Sequence, residues 1–315
     1  MNYYYSLNDY LKETYGEKIY KIAIDAGLSC PNRDGKIDIR GCIFCSAGGS
    51  GDFAVSRISH PSVTEQLEAG LSLFRGKSVG NKFIAYFQAY TNTYGPLEYL
   101  ENIFTEALSH PKVAGISIAT RPDCLSDGVL ALLQVLKERF SDKFIWIELG
   151  LQTIHEDTAL YIRRGYALPV FEDALSALNN LGISVIVHVI LGLPGESRKH
   201  VLETIDYLAN KSIFGIKLQL LHILKGTDLA KDYENNLFSV YTKEEYIDLV
   251  IDCIEHLPKD VVLHRVTGDG PKNLLIAPLW SGNKKDVLNT LHHRFKERGA
   301  YQGRYFYDTR PIDSV

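Results

Sequence analysis

The chain has 315 residues and a formal net charge of −4, with 45% hydrophobic and 23% charged residues. These values are typical of a globular protein with a large core, and they exclude a chain that binds nucleic acid through a global positive charge. No apolar run approaches the roughly 18 residues that span a bilayer, and the Tyr-rich start does not resemble a signal peptide. Five cysteines, three of them clustered, favour a reducing compartment over a disulfide framework, so we predict a cytoplasmic protein without a membrane span.

Strand-like apolar runs alternate with helix-like amphipathic runs along the chain, which is the pattern of repeated βαβ units in a parallel sheet. Strands are predicted at residues 21–27, 82–87, 113–119, 144–149, 185–191 and 216–221, with a candidate seventh at 261–266. Helices are predicted at residues 63–74, 96–108, 126–140, 199–209 and 244–257, and the polar residues 1–17 are expected to form an arm or helix. The pattern therefore predicts one compact α/β domain with terminal extensions.

Three cysteines lie in one polar loop directly after the first predicted strand. Cys42 and Cys45 are separated by two residues, which lets neighbouring thiolates converge on one metal centre, and Cys30 can fold back to supply a third. A structural zinc takes four protein ligands, and a fully ligated iron–sulfur cluster also takes four. The loop therefore predicts either a fourth ligand from elsewhere or a cluster with one iron left open.

This loop, with Phe44 inside the close cysteine pair, resembles the radical S-adenosylmethionine (SAM) superfamily. More narrowly, segments 29–35 and 41–45 resemble its YhcC/YtqA-type branch, which is related to the elongator radical SAM subunit. The usual superfamily spacing is a gap of three residues and then a gap of two. Here the first gap is eleven residues, which departs from the general pattern and fits this branch.

The resemblance implies a partial (β/α)6 TIM-type barrel with N- and C-terminal extensions. We assign the arm to residues 1–17, the barrel to 18–260 and a C-terminal extension packed on the barrel to 261–315. The resemblance also implies a 4Fe–4S cluster on Cys30, Cys42 and Cys45, with SAM bound to its open iron. An external electron donor of the flavodoxin or ferredoxin type would then allow SAM cleavage and hydrogen abstraction from a substrate, chemistry that belongs to the cofactors.

Polar residues follow the predicted strands, where the chemistry of a parallel barrel is located. The resemblance implies that residues at strand four bind the ribose of SAM and that an arginine in the following segment binds its carboxylate. It also implies that a glycine-containing turn after strand five binds the adenine. The candidate cofactor-binding residues are Phe44, Gln88, Thr91, Glu148, Gln152, Arg163, Gly192, Pro194 and Gly195. An ordinary polar loop at Gln88 and a solvated face at Arg163 are alternatives that the sequence leaves open.

Substrate binding is predicted for a second group of strand-end residues. Arg121 can hold a carboxylate or phosphate with two hydrogen bonds, or it can form a salt bridge with Asp123 or Glu148. The other candidates are His222, Lys225, Arg265 and Asp269, for which structural roles are equally open. Residues 292–306 interleave basic and aromatic side chains, a composition that suits RNA contact or a plain amphipathic helix.

The branch resemblance implies a substrate, namely tRNA carrying 5-carboxymethylaminomethyluridine at the wobble position, which would be converted to 5-aminomethyluridine. A radical SAM enzyme acting on a small metabolite or peptide is the nearest alternative. A non-catalytic zinc protein with Asp34 or His60 as fourth ligand is a third, although a structural zinc would not require the polar strand ends. The sequence leaves the oligomeric state and the role of Cys124 open.

Overall fold

Seven strands form one parallel sheet in a computed structural model that describes residues 2–49, 51–52, 54–55, 57–74, 80–268 and 270–307. The strands are β1 (Tyr20–Ile24), β2 (Phe83–Phe87), β3 (Val113–Thr120), β4 (Phe144–Gln152), β5 (Ser184–Leu191), β6 (Gly215–Leu220) and β8 (Val262–Arg265). They pair in this order, so β1 and β8 are the two edges and the barrel is open between them. The predicted α/β partial barrel is confirmed, and the candidate seventh strand joins the sheet beside β6.

Ten helices surround the sheet in the described part of the chain. They are α1 (Leu7–Tyr15), α2 (Val63–Ser72), α3 (Leu97–Ser109), α4 (Asp127–Arg139), α5 (Glu156–Tyr161), α6 (Leu168–Asn180), α7 (Arg198–Ala209), α8 (Asp228–Glu234), α9 (Lys243–His256) and α10 (Lys284–Arg298). A two-stranded antiparallel sheet of β7 (Ile223–Leu224) and β9 (Leu275–Ala277) lies beyond the end of β6. No described helix is long and apolar enough to cross a membrane.

Helices α5 and α6 lie between β4 and β5, where the sequence pattern predicts no helix bounds. Helix α6 has no side chain capping its N-terminus, so the usual Ser, Thr or Asp start signal is missing. Its buried residues nevertheless recur at helical spacing, with Phe171, Ala174, Leu175 and Leu178 on the face that meets the sheet. The spacing of the apolar residues therefore indicates a helix here, although the usual capping residue is missing.

The N-terminal arm contains helix α1, which closes the lower end of the barrel. The ring of Tyr10 lies 4.9 Å from Phe214 and 6.1 Å from Trp146, at the start of the strands. The carbonyl of Tyr5 accepts a hydrogen bond of 2.8 Å from the amide of Leu263, which ties the arm to β8. The division at residues 17 and 260 stays a prediction, and β8 lies beyond residue 260 although it belongs to the main sheet.

The cysteine loop crosses the opposite end of the barrel, above the carboxyl ends of the strands. Its Ile43 amide donates to the carbonyl of Ile162, and its Ile43 carbonyl accepts from the amide of Leu229, both at 3.1 Å. These bonds fix the loop between the segment after β4 and helix α8. The candidate cysteines are thereby held over the interior of the barrel.

We expect Leu178→Ala to lower the free energy of unfolding by about 2–5 kcal/mol, because Leu178 is fully buried on the inner face of α6 and truncating its side chain leaves a cavity. Urea unfolding followed by circular dichroism measures this change. Leu160→Ala is the matched control, since Leu160 is 80% exposed and its loss should change stability by less than about 0.5 kcal/mol. Equal effects of the two substitutions would contradict the assigned packing of α6.

Candidate active site

Two adjoining cavities lie under the cysteine loop, at the carboxyl ends of the strands. The first has an empty volume of about 930 Å³ and the second about 880 Å³. Both cavities share a ring of side chains, namely Phe44, Cys45, Gln88, Gln152, His188, Gln219 and Arg265. The polar strand ends predicted from the sequence therefore surround one continuous space, as expected for a parallel barrel.

All three loop cysteines line the first cavity. The amide of Arg33 donates to the Cys30 carbonyl at 2.8 Å, and the amide of Cys45 donates to the Cys42 carbonyl at 3.0 Å, so each cysteine sits in a tight turn. The Arg33 side chain reaches across the loop and donates to the carbonyls of Cys45, at 2.9 Å, and Ser46. The loop thus brings Cys30 back to the side of Cys42 and Cys45.

The thiol of Cys42 is held in its neutral form by its surroundings. Burial, with added repulsion from the charges that Cys45 and Cys30 would carry, raises the pKa of Cys42 to about 12. The Asn32 amide nitrogen lies 3.5 Å from the Cys42 sulfur and also donates to the Arg163 carbonyl at 2.7 Å. Without a metal, Cys42 is therefore a neutral thiol, and it becomes a thiolate ligand by releasing its proton when metal binds.

The donor set fits a cluster with one open iron. Three thiols face one cavity, and the side-chain oxygen of Asn32 beside them is buried without a hydrogen-bond partner among the described residues. In the described ranges, no three His, Cys, Asp or Glu side chains converge on a single point. A 4Fe–4S cluster does not require such convergence, because its thiolates bind different irons. Asp34 and His60 line neither cavity.

Glu148 occupies the floor of the first cavity as the centre of a buried ionic cluster. One carboxylate oxygen accepts from Lys21 at 2.7 Å and from Ser117 at 2.6 Å. The other accepts from His188 at 2.7 Å and forms a short contact with Lys217. Both oxygens are fully engaged and the side chain is 0% exposed, so the predicted ribose contact would have to displace one of these donors.

The charges of this cluster support one another. Burial would raise the pKa of Glu148, but Lys21, Lys217 and the His188 hydrogen bond outweigh it and hold this pKa well below its usual range. Burial and the charge of Lys217 lower the pKa of His188 to about 4, so the ring is neutral at pH 7. Both lysines also lie over the ring of Tyr86, at 4.7 and 4.4 Å from its centroid.

The other predicted cofactor residues fall into two groups. Phe44, Gln88, Thr91 and Gln152 line the first cavity, as the prediction required of them. Gln152 does so with a left-handed backbone, φ 64°, at the point where β4 leaves the sheet. Their contacts with SAM stay predictions.

The second group of predicted cofactor residues lies outside both cavities. The Arg163 side chain pairs with Asp228 at 2.8 Å, and only its carbonyl meets the cysteine loop. Gly192 and Pro194 line neither cavity, and Gly195 borders a separate pocket beside His155. The structure therefore does not bring this turn together with the cysteines, and its adenine contact stays untested.

Arg121 reaches the first cavity but is already paired. Its guanidinium binds both carboxylate oxygens of Asp123, at 2.9 and 2.7 Å, and donates to the Arg164 carbonyl at 2.9 Å. The salt bridge that the sequence left as an alternative is thus present. This salt bridge gives Arg121 a structural role, and substrate binding by Arg121 stays a prediction.

The remaining substrate candidates are dispersed. Arg265 lines both cavities, and His222 lines the second. Lys225 is exposed and lines neither of them. Asp269 lies outside the described residues.

Sequence reasoning missed several residues that the barrel interior contains. Lys217 and Gln219 alternate along β6 and both face the first cavity, as do Tyr86 of β2 and Tyr166 after β4. Polar residues at every second position of a buried strand were the available signal for Lys217 and Gln219. Tyr166 and Arg33 had none, because both lie in loops whose path only the fold defines.

Comparison with known proteins agrees with this geometry. Residues 39–208 match the model of the radical SAM superfamily, and residues 213–297 match that of the Radical_SAM C-terminal domain. The chain belongs to the radical SAM superfamily. It is therefore a radical SAM enzyme. Members of this family use SAM and a 4Fe–4S cluster, and the chemistry requires an external electron donor.

Relatives place the chain in the YhcC-type branch. It is 44% identical to the uncharacterized protein YtqA of Bacillus subtilis over 96% of this chain and 92% of that protein. It is 35% identical to the protein YhcC of Escherichia coli K12 over 92% of this chain and 91% of that protein. The solved archaeal Elp3 of Methanocaldococcus infernus shares the fold, with a TM-score of 0.68 at 16% identity, over 90% of this chain and 64% of that one.

We expect Glu148→Gln to lower the free energy of unfolding at pH 7 by about 3–5 kcal/mol, because it leaves the buried Lys217 and the half-buried Lys21 without their carboxylate. Denaturant unfolding measures this change, with Glu138→Gln at an exposed position as the matched control.

The pKa of Glu148 is lower in the folded state than in the unfolded state. Its contribution to the free energy of unfolding is therefore complete above the pKa of an unfolded glutamate and is lost as the pH falls through the lowered value. The variant should therefore lose less stability on acidification than the wild type, and parallel pH curves would contradict this reading.

Proposed function

We propose that Cys30, Cys42 and Cys45 hold the 4Fe–4S cluster and that the space beneath them takes SAM and then the substrate. The observation that carries this proposal is that all three cysteines line one cavity at the strand ends. When bound, the cluster and SAM supply a 5′-deoxyadenosyl radical that abstracts a substrate hydrogen.

The chain's own residues bind, orient and shield these groups. Phe44 lines both cavities and packs against the apolar cluster around Ile43, which keeps water from this side of the site. Gln88, Thr91 and Gln152 offer neutral hydrogen-bonding groups towards the space beside the cysteines. The Glu148 cluster below them fixes the floor of the cavity.

We further propose that the substrate is tRNA carrying 5-carboxymethylaminomethyluridine, from which the carboxymethyl portion is removed. Abstraction of a hydrogen next to the amine, with loss of one electron to the oxidised cluster and of one proton, would leave an imine, and addition of water would break the C–N bond to give 5-aminomethyluridine and glyoxylate. The resemblance to the YhcC/YtqA-type branch supports this assignment, as does the charge of the site. Five basic side chains line the two cavities, and two of them, Arg121 and Arg164, are neutralised by Asp123 and Glu156 outside the cavities. The remaining three, Arg33, Lys217 and Arg265, face two acidic side chains, Glu148 and Asp52. An excess of positive charge favours a substrate that carries phosphate and carboxylate groups.

A flavodoxin- or ferredoxin-type donor and a cytoplasmic location complete the proposal. Open-iron clusters and thiols persist in a reducing compartment, and the five cysteines, all of them described, form no disulfide in the structure. A small metabolite or peptide is the alternative substrate.

Anaerobic reconstitution with iron and sulfide tests the cluster ligands. We expect about four irons per chain in the wild type and formation of 5′-deoxyadenosine on reduction with dithionite in the presence of SAM. The Cys42→Ala, Cys45→Ala double variant should lose both. Cys124→Ala is the matched control, because Cys124 lies outside the first cavity, and it should keep both. One tight zinc per chain and no iron in the wild type would contradict the proposal.

The substrate is tested by incubating the reduced enzyme and SAM with tRNA and analysing the digested nucleosides by mass spectrometry. We expect 5-carboxymethylaminomethyluridine to decrease and 5-aminomethyluridine to appear in equal amount. tRNA without the modification is the control and should not change. Formation of 5′-deoxyadenosine with no change in any nucleoside would reject tRNA and favour the small-molecule alternative.

A further inference from the structure

Arg265 lies at the inner surface of the barrel and has no counter-ion among the described residues. It ends β8 and lines both cavities. Within the part of the chain that the structure describes, its guanidinium makes no hydrogen bond and no ion pair. The other arginines of the cavities differ in this respect, since Arg121 pairs with Asp123 and Arg164 with Glu156.

Glu148, the buried carboxylate that lines the first cavity with Arg265, is not available to it. In the sheet, Arg265 stands opposite Lys217 of β6, which Glu148 already binds. Both oxygens of Glu148 are engaged by Lys21, Lys217 and two further donors. In the part of the chain that the structure describes, the floor of the barrel therefore offers no acceptor to the Arg265 guanidinium.

A count of charges leads to the same point. Three cations, Lys21, Lys217 and Arg265, meet the Glu148 carboxylate. Asp52 of the second cavity accepts a hydrogen bond from Ser46 at 2.9 Å, and counting it still leaves one more cation than carboxylates. Uncompensated charge in a half-buried position is costly unless a partner binds. An anion of the ligand would remove this imbalance.

We propose that Arg265 binds the carboxylate of the substrate's carboxymethyl group in the second cavity, and that it is thereby the residue that selects the acidic form of the substrate. This deepens the proposed function and rests on it. A guanidinium offers a planar pair of donors that matches a carboxylate with two hydrogen bonds. Three amide side chains, of Gln88, Gln152 and Gln219, face the same space and suit the neutral polar atoms around that group.

The carboxylate of SAM is the other source of the same chemistry, and the layout of the cavities disfavours it. SAM must reach the open iron, and the three cysteines meet only in the first cavity. The second cavity contains Cys45 alone of the three and extends towards His222 and β7. Arg265 spans from the first space into the second, where a substrate entering beside SAM would lie.

Binding to a chemically synthesised anticodon stem-loop RNA tests the proposal without turnover. One RNA carries 5-carboxymethylaminomethyluridine, and the other carries the same group with the acid replaced by its neutral amide. Dissociation constants are measured by fluorescence anisotropy with cluster-loaded, unreduced enzyme and SAM. We expect the wild type to prefer the acid at least about tenfold. Arg265→Gln should bind both RNAs equally, Arg265→Lys should keep part of the preference, and the surface control Arg139→Gln should behave as the wild type.

Iron content and SAM affinity of each variant are measured in parallel and should be unchanged. An acid preference that persists in Arg265→Gln would overturn the proposal while leaving tRNA as the substrate. Weaker SAM binding by Arg265→Gln would also overturn it and assign the arginine to SAM.

If the wild type binds neither RNA, tRNA is rejected as the substrate. A second experiment then tests whether Arg265 binds a carboxylate at all. Thermal unfolding is then compared in sodium acetate and in sodium chloride of equal ionic strength. A rise in melting temperature with acetate in the wild type but not in Arg265→Gln would support a carboxylate site at Arg265. Equal melting curves would overturn it.

Discussion

The barrel interior depends on one buried carboxylate. Glu148 extends from the central strand β4 and receives Lys21 from β1 and Lys217 from β6, so a single side chain connects both halves of an open sheet. None of these charges would be stable alone at this depth, because each would lose its hydration without compensation. Together they form a rigid polar floor, and everything above it is positioned relative to that floor.

The floor and the cysteine loop define the site from opposite sides. The loop is fixed from above by hydrogen bonds between Ile43 and both the segment after β4 and helix α8. The floor is fixed from below by the ionic cluster and by the aromatic packing of α1 against Trp146. A radical enzyme must shield its reactive species from solvent, and a cavity closed by protein on both sides provides such shielding.

The basic residues of the site differ in whether the protein already neutralises their charge. Arg121 and Arg164 are neutralised by neighbouring carboxylates and hydrogen-bond to backbone carbonyls, which is a structural use of arginine. Arg33 ties the cysteine loop through two carbonyls. Arg265 alone of the cavity arginines has neither kind of partner among the described residues, which is why we assign ligand binding to it.

The sequence by itself determined the fold class and the cluster loop. Alternation of apolar runs and amphipathic helices predicts parallel βα units, and the spacing of Cys42 and Cys45 restricts the chemistry, because both are local signals. It also indicated which strand ends are polar. Even the missed helix α6 shows the local period in Phe171 and Leu178.

Only the tertiary structure decided which polar residues meet. Glu148 is predicted to bind the ribose of SAM, but its carboxylate is bound by Lys21, 127 residues before it, and by Lys217, 69 residues after it. Arg121 is taken by Asp123, whereas the turn at Gly195 borders a different pocket. The availability of a charged side chain for a ligand depends on what the fold places within hydrogen-bonding distance, and that pairing is long-range information that no local pattern contains.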